Sequence, residues 1–479
     1  MAGNFRAAML ERAYKKWVMG LGMGMGLVGC VVVGPDHEVP AVALPEGFSS
    51  GGVEWKRREV GAVVGEESWW RMFGDAELDG LVERAMGANQ ELAGAGARLR
   101  QAREMSKAAR SRYLPDMDLG ASAERSKIRM RMPGGGTDVS NAFGLPVDLR
   151  YEVDVWGKVA RQVESAEAME AAAGESLRAL RLTVAGEVAQ TYWALRAVDA
   201  NRAVVARALE IRMKALELLR KRREVGEISG LDLARAETEV ATADADRLQL
   251  EQERVRLVNA LAVLTGRAAT GMQVGEKVEL PAPPKVPVDL PSEVMRRRPV
   301  VRAAERRVAA ANAEVGVAAA AFYPAFRIDA SGGLDAEELS GLFDASSLVW
   351  SLGANAMLPI TERKLLKAQQ RAEEEAHAVA SAEYRQVVLE SLREVEDALQ
   401  AAVILERRQR SQDLAVAAAE KTFELSAKQF RVGLVSFLDV VDAERTRLEA
   451  ERLANLIRAE RLAVAVALAK AVGGNWRDA

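Results

Sequence analysis

Four stretches of the chain alternate strictly between apolar and polar residues. From Phe143 to Val155 the odd positions are Phe143, Leu145, Val147, Leu149, Tyr151, Val153 and Val155, while the even ones include Asp148, Arg150, Glu152 and Asp154. A period of two places the two sets on opposite faces of a β-strand. Pro115 to Glu124 repeats the pattern, with Met117, Leu119, Ala121 and Ala123 opposing Asp116, Asp118, Ser122 and Glu124. Farther on, Phe326, Ile328 and Ala330 oppose Arg327, Asp329 and Ser331. Leu348, Trp350, Leu352, Ala354, Ala356 and Leu358 form a fourth apolar row. Gly134-Gly135-Gly136 and Gly332-Gly333 are expected in or beside the loops joining each pair.

The period then changes to that of a helix. Val159 to about Arg223 and Arg363 to about Arg431 hold no proline, and each would extend roughly 100 Å at about 1.5 Å per residue. Val388, Leu392, Val395, Leu399 and Ala402 step by four and three, which is the seam of a coiled coil. Gly226 and Gly433 mark where each long helix turns back into a shorter one, Ser229 to Thr265 and Ser436 to Val472.

These elements come in two copies. Val225 to Glu237 reads VGEISGLDLARAE and Val432 to Glu444 reads VGLVSFLDVVDAE, with seven of thirteen positions identical at a constant offset of 207. Tyr113-Leu114-Pro115 and Phe322-Tyr323-Pro324 correspond upstream, each at the end of a helical run. Each copy therefore has the order helix, two strands, very long helix, turn, helix. The expected organisation is 68–270 for the first repeat, 271–291 for a proline-rich linker with Pro281, Pro283, Pro284, Pro287 and Pro291, 292–474 for the second repeat, and 475–479 as a tail.

Composition narrows the setting. The chain of 479 residues is 49% apolar but only 5% aromatic, and 28% of it is charged, a bias of long helices rather than compact mixed domains. Its net charge of −3 gives no basic face for nucleic acid. A half-buried soluble sheet alternates in the same way as these strands. Two features weigh against it: the polar faces carry dense charge, as a wet lumen does, and few aromatics remain for a separate soluble core. Strands of about ten residues suit a tilted crossing of a bilayer. Four strands cannot close a barrel, and an open edge cannot stand in lipid, so strands from several chains must meet.

The first residues are a separate object. Arg6, Arg12, Lys15 and Lys16 give a basic start, followed by the apolar, glycine-rich run Trp17 to Val28, which reads as a secretory signal, 1–29. It ends at Leu27-Val28-Gly29-Cys30, and Cys30 is the only cysteine. Small residues before a lone cysteine resemble a bacterial lipobox. That resemblance implies cleavage before Cys30, fatty acylation (palmitate) on it, and a lipid-anchored segment over 30–67. Val31 follows the cysteine; the absence of aspartate there favours the outer membrane.

With these residues in place, the chain resembles the outer-membrane factor family, the TolC-like channels, over nearly its whole mature length. Cys30 followed by Gly34-Pro35-Asp36 is similar to the lipoprotein subfamily that serves resistance-nodulation-division efflux pumps. The run RRRPVVRAAERRVAAANAEVGVAAAAFYP, Arg296 to Pro324, resembles that subfamily's most recognisable stretch and departs from it at Val300, where an aspartate is usual. Trp69-Trp70 and Asp154-Val155-Trp156-Gly157 also match. The resemblance implies a fold that is mainly α with a membrane β-barrel: a homotrimer with twelve strands in one barrel and a coiled-coil helical tunnel crossing the periplasm. It implies a periplasmic adaptor protein and an inner-membrane efflux transporter as partners, docked at the helical tip, besides outer-membrane lipid.

Function is then gating rather than catalysis. Asp232 lies by the first turn, Asp439 and Asp442 by the second, three apart and so on one helical face. In a three-fold assembly each becomes a ring of carboxylates, which selects cations and constricts a pore. The resemblance places the innermost aperture at Asp439 and Asp442. Arg445, three residues beyond Asp442, would pair with it or with a neighbouring subunit as a lock. A solvated helix start also favours aspartate. Some related channels carry a tyrosine and an arginine in the lock; here those positions are Phe430 and Val435. The lumen candidates are Asp116, Asp118, Asp148, Arg150, Glu152, Arg327 and Asp329. His37 and His377 are the only histidines and neither has ligand partners at metal spacing, so no metal or cofactor is expected. No phosphate-binding loop and no nucleophile–base–acid set stands out. A type I protein secretion duct and a periplasmic coiled-coil adaptor lipoprotein are the alternatives; the exported compound is not encoded in any feature of this chain.

Overall fold

A computed structural model describes residues 32–48, 68–129, 137–286, 288 and 291–474. The signal segment, Cys30, the Gly134–Gly136 loop, Pro287 and the tail 475–479 lie outside the described residues. Within them the helices are α1 (Ala76–Ala88), α2 (Gln90–Ser111), α3 (Lys158–Glu224), α4 (Gly230–Leu264), α5 (Pro291–Arg297), α6 (Pro299–Ala320), α7 (Arg363–Arg431) and α8 (Phe437–Ala471). The strands are β1 (Asp116–Leu119), β2 (Ser122–Arg129), β3 (Thr137–Val153), β4 (Ala325–Ala336) and β5 (Leu348–Met357). The expected repeat is present: α2, β1/β2, β3, α3, α4 in the first half and α6, β4, β5, α7, α8 in the second.

The chain forms two compact units. One contains Ala102–Glu170 and Arg307–Ala380 with the described part of the first 39 residues; the other contains the described residues of Pro40–Gln101, Ala171–Arg306 and Ser381–Ala479. The first unit holds one antiparallel sheet, ordered β1/β2, β3, β4, β5.

Two strand expectations need correction. The first strand is interrupted: Leu119 pairs with Val147 and Ser122 with Gly144, in one register, but Gly120 and Ala121 between them leave the ladder. The cause is on the partner strand, where Pro146 has no N–H to donate; its carbonyl still accepts from the Gly120 amide at 2.8 Å. Gly332-Gly333 is also not in a loop. β4 runs through both glycines, and a Cβ on Gly333 would stand 2.2 Å from the Leu145 carbonyl oxygen. The glycine permits close approach of β3 rather than a turn.

The second unit carries the larger core. Trp69 and Trp70 in a 3₁₀ turn, Leu78 and Leu81 of α1, Tyr192 and Trp193 of α3, Leu399 of α7 and Leu462 of α8 are all buried together. Val388, Val395 and Leu399 of the predicted seam are buried, with Leu392 packed against them. The Arg296–Pro324 stretch is explained locally by Arg298, which is buried and donates to the Ser391 carbonyl at 3.0 Å and to Glu394 at 2.5 Å.

Candidate functional site

The ladder register sorts the sheet into two chemical faces. Residues paired across an antiparallel ladder share a face. Asp118, Asp148, Ser331 and Ser351 form one row; Asp116, Arg150, Asp329 and Gly353 the next; Glu152, Arg327 and Asn355 a third. All seven lumen candidates therefore stand on one face. Arg150 pairs with Asp118, Asn355 donates to Asp329 at 2.7 Å, and Arg327 lies 4.0 Å from Glu152. The opposite face reads Met117, Leu149, Ala330, Leu352, then Leu119, Val147, Gly332, Trp350, then Tyr151, Ile328, Ala354. Met117, Leu119, Trp350 and Leu352 are exposed. The outer edges of β1/β2 and β5 have no strand partner among the described residues.

Below the sheet the matched motifs meet. Asp154 accepts from the amides of Val159 and Ala160 at the start of α3, and the Trp156 indole donates to the Pro324 carbonyl at 2.8 Å while stacking on Tyr323. The segment after Cys30 is fastened here. The Val33 amide donates to the Trp156 carbonyl at 3.1 Å, and the buried Arg161 donates to Val33 O, Gly34 O and Asp36. Gly34, at φ +99°, passes so close to Gly316 that a Cβ would lie 2.5 Å from its Cα.

In the second unit the hairpin turns are built alike. α3 ends at Gly226 (φ 78°), whose amide donates to Arg223 O, and α7 ends at Gly433 (φ 77°), whose amide donates to Phe430 O. Left-handed glycines close both helices. Ser229 and Ser436 then cap α4 and α8. Asp232 accepts from the Ser229 hydroxyl at 2.6 Å. Asp439 completes a capping box: its carboxylate accepts from the Ser436 amide at 2.8 Å and hydroxyl at 2.7 Å. Hydrogen bonds from the Ser436 side chain and backbone hold the Asp439 carboxyl below the usual carboxylate range. Asp439 and Asp232 thus have a local structural task as helix caps. Asp442 is exposed and forms no ion pair among the described residues. Phe430 is half-buried, 5.8 Å from the Phe437 ring and 5.9 Å from the Arg222 guanidinium, and Val435 is half-buried beside it in the turn.

The lock expectation is corrected within this chain. Arg445 pairs with Glu239 of α4, not with Asp442. The reason is a buried charge cluster between helices, which the i,i+3 spacing of Arg445 and Asp442 does not take into account. Glu239, Glu444 and Arg212 are all buried; Arg212 reaches Glu239 and Glu444 at 3.1 Å each, from α3 to α4 and α8. Burial pushes the Glu444 carboxyl up, opposed by Arg212 and Arg447. A signal existed: Glu444 sits between Val441 and Leu448, and Glu239 between Ala236 and Ala243, at spacings that belong to an apolar seam. A charge there needs a buried partner.

A two-faced sheet carried with long helical hairpins is the architecture of an outer-membrane channel subunit. The profile described as "Outer membrane efflux protein" matches residues 81–267 and 290–474, one match per repeat. The chain is 30% identical to the pyoverdine export outer membrane protein OpmQ of Pseudomonas aeruginosa, over 94% of this chain and 96% of that one. Among solved structures, the outer-membrane channel OprN superposes with a TM-score of 0.84 at 28% identity, covering 93% of this chain and 99% of that chain. The open state of the Neisseria gonorrhoeae MtrE outer membrane channel gives 0.81 at 27%, covering 93% and 98%. The chain belongs to the outer membrane efflux protein family. It is an efflux channel protein of the outer membrane and not an enzyme.

Proposed function

We propose that three copies of this chain close a twelve-stranded barrel and form a passive export duct for small molecules, gated at its periplasmic end by carboxylates. The carrying observation is the register: it puts all seven lumen candidates on one face and an exposed apolar row on the other, with two edges unpaired among the described residues. A bilayer tolerates such a sheet only when its edges are closed by further copies. The helical hairpins extend into the periplasm, where an adaptor and an inner-membrane transporter of the resistance-nodulation-division class engage the turns and supply energy.

At the gate, Asp439 stays ionised because its hydrogen bonds favour the charged form, and Asp442 is the carboxylate free to meet its symmetry mates or a passing cation. Arg445 and Glu239 hold α8 against α4 behind them. Acylation of Cys30 fits the fastened segment, whose first hydrogen bond is made by Val33, three residues later, at the foot of the sheet. The repeat boundaries 68–270 and 292–474, with the strap 271–291 between them, describe the subunit's organisation.

The test is the mass of the purified protein in detergent by light scattering, with circular dichroism alongside. A three-chain particle with a β signal on a helical background supports the reading. A monomer contradicts it.

A further inference from the structure

Immediately after β5 the first unit presents a cluster of cations that no ion pair among the described residues neutralises. Arg363, Lys364, Lys367 and Arg371 fill the first turns of α7, and all four are exposed. None of the four side chains has an ion-pair or hydrogen-bond partner among the described residues. At about 100° per residue they fall within an arc of roughly 100° on one side of the helix. By contrast, in the same unit Lys158 pairs with Glu152, Arg110 with Glu167 and Arg103 with Glu170.

The placement is unfavourable for the isolated chain. The N-terminal end of a helix carries partial positive charge, so cations there are repelled, and the first turn of α7 has no acidic residue. Lys364 and Lys367, and Lys367 and Arg371, are also like-charged neighbours at i,i+3 and i,i+4. An external anion removes both penalties. Its nature follows from what adjoins the cations. Leu358 and Ile360 are exposed apolar residues on the connection, Ile360 at 76%, and they follow the exposed apolar row of β5 that holds Trp350 and Leu352. Apolar residues followed within about two helical turns by clustered cations fit the boundary between acyl chains and phosphate headgroups.

We propose that the β5–α7 junction is a binding surface for anionic phospholipid of the leaflet facing the helices, with Lys364, Lys367 and Arg371 contacting the headgroup phosphates. The inference rests on the reading of the sheet as membrane-inserted. It assigns the lipid an active part: charge neutralisation at the start of α7 stabilises the helix directly beneath the barrel.

The experiment uses the full-length acylated protein reconstituted in phosphatidylcholine vesicles, with trace spin-labelled phosphatidylglycerol or phosphatidylcholine as probes. At low salt the labelled phosphatidylglycerol associates on the order of threefold more strongly than labelled phosphatidylcholine, and high salt abolishes the difference. In Lys364→Gln/Lys367→Gln/Arg371→Gln the two probes associate equally, while the oligomer's mass is unchanged. Equal association already in the wild-type protein overturns the proposal and leaves the membrane reading intact. A triple variant that keeps lipid selectivity but loses its oligomer also overturns it, since the cations then pair with a second copy. Failure of the wild-type protein to insert into any vesicle overturns both readings.

Discussion

Arg212→Met removes a guanidinium that bridges α4 and α8 from α3. Arg212 is 7% exposed, and it reaches both Glu239 and Glu444 at 3.1 Å. Deleting one partner of a buried ion pair costs about 3–5 kcal/mol, because the remaining charge stays buried without compensation. Glu239 keeps Arg445, so the lower end, about 3 kcal/mol, is expected. Glu444 is the group left stranded: one of its carboxylate oxygens already has no hydrogen-bond partner. The assay is hydrogen exchange of the α8 amides in the first turns after Ser436, read as protection against intrinsic rates. Protection falls roughly 100-fold at neutral pH. Methionine keeps the volume, so lost packing contributes little.

The pH dependence has a definite sign. Burial holds the Glu444 carboxyl above its ordinary 4.5, so the folded state binds its proton more tightly than the unfolded chain. Its contribution to stability is fully present below the unfolded value and is lost as pH rises through the folded one. Without Arg212 the folded value rises further. The loss of protection in Arg212→Met is therefore largest at neutral pH and shrinks in acid. Adding Glu444→Gln restores at least half of the protection. A single variant within about threefold of wild type, or a double variant no better than the single, refutes the reasoning.

Leu352→Arg places a charge on the apolar face and costs about 2–4 kcal/mol if that face meets the bilayer midplane; folding into vesicles drops sharply, while Asp148→Arg, directly across from Asp118 in register, folds normally. Equal yields for both would contradict the facing. Gly333→Val drives a side chain into the Leu145 carbonyl, and a reduced β signal with unchanged helicity is expected by circular dichroism. Cys30→Ser abolishes incorporation of radioactive fatty acid, and a variant that still takes up label sinks the lipid-anchor reading.

Much of this architecture was legible in the sequence because it is local or periodic. The long helices end within a residue of where Gly226 and Gly433 placed them, and the caps Ser229 and Ser436 fall where expected. Alternation sorted the strand faces correctly. What escaped was set by distant partners. The break between β1 and β2 is caused by Pro146 on another strand, and the run of β4 through Gly332-Gly333 by the approach of β3. Helical spacing offered Arg445 either Asp442 or a neighbouring subunit; within the chain its partner is Glu239, 206 residues away. Local rules see i+3 neighbours and miss a buried acid on another helix. The role of Asp439 as a helix cap was visible in Ser436 three residues before it, and it coexists with the gate assignment.

The central claim is a conducting channel constricted by Asp439 and Asp442, and planar-bilayer recording tests it most directly. The wild-type protein should form low-conductance, cation-selective channels blocked by polyvalent cations added on the side of the helical turns. Asp439→Asn/Asp442→Asn should keep the assembly and lose that block. Full block from the same side in the double variant, or no conductance from the wild-type protein, would contradict the account.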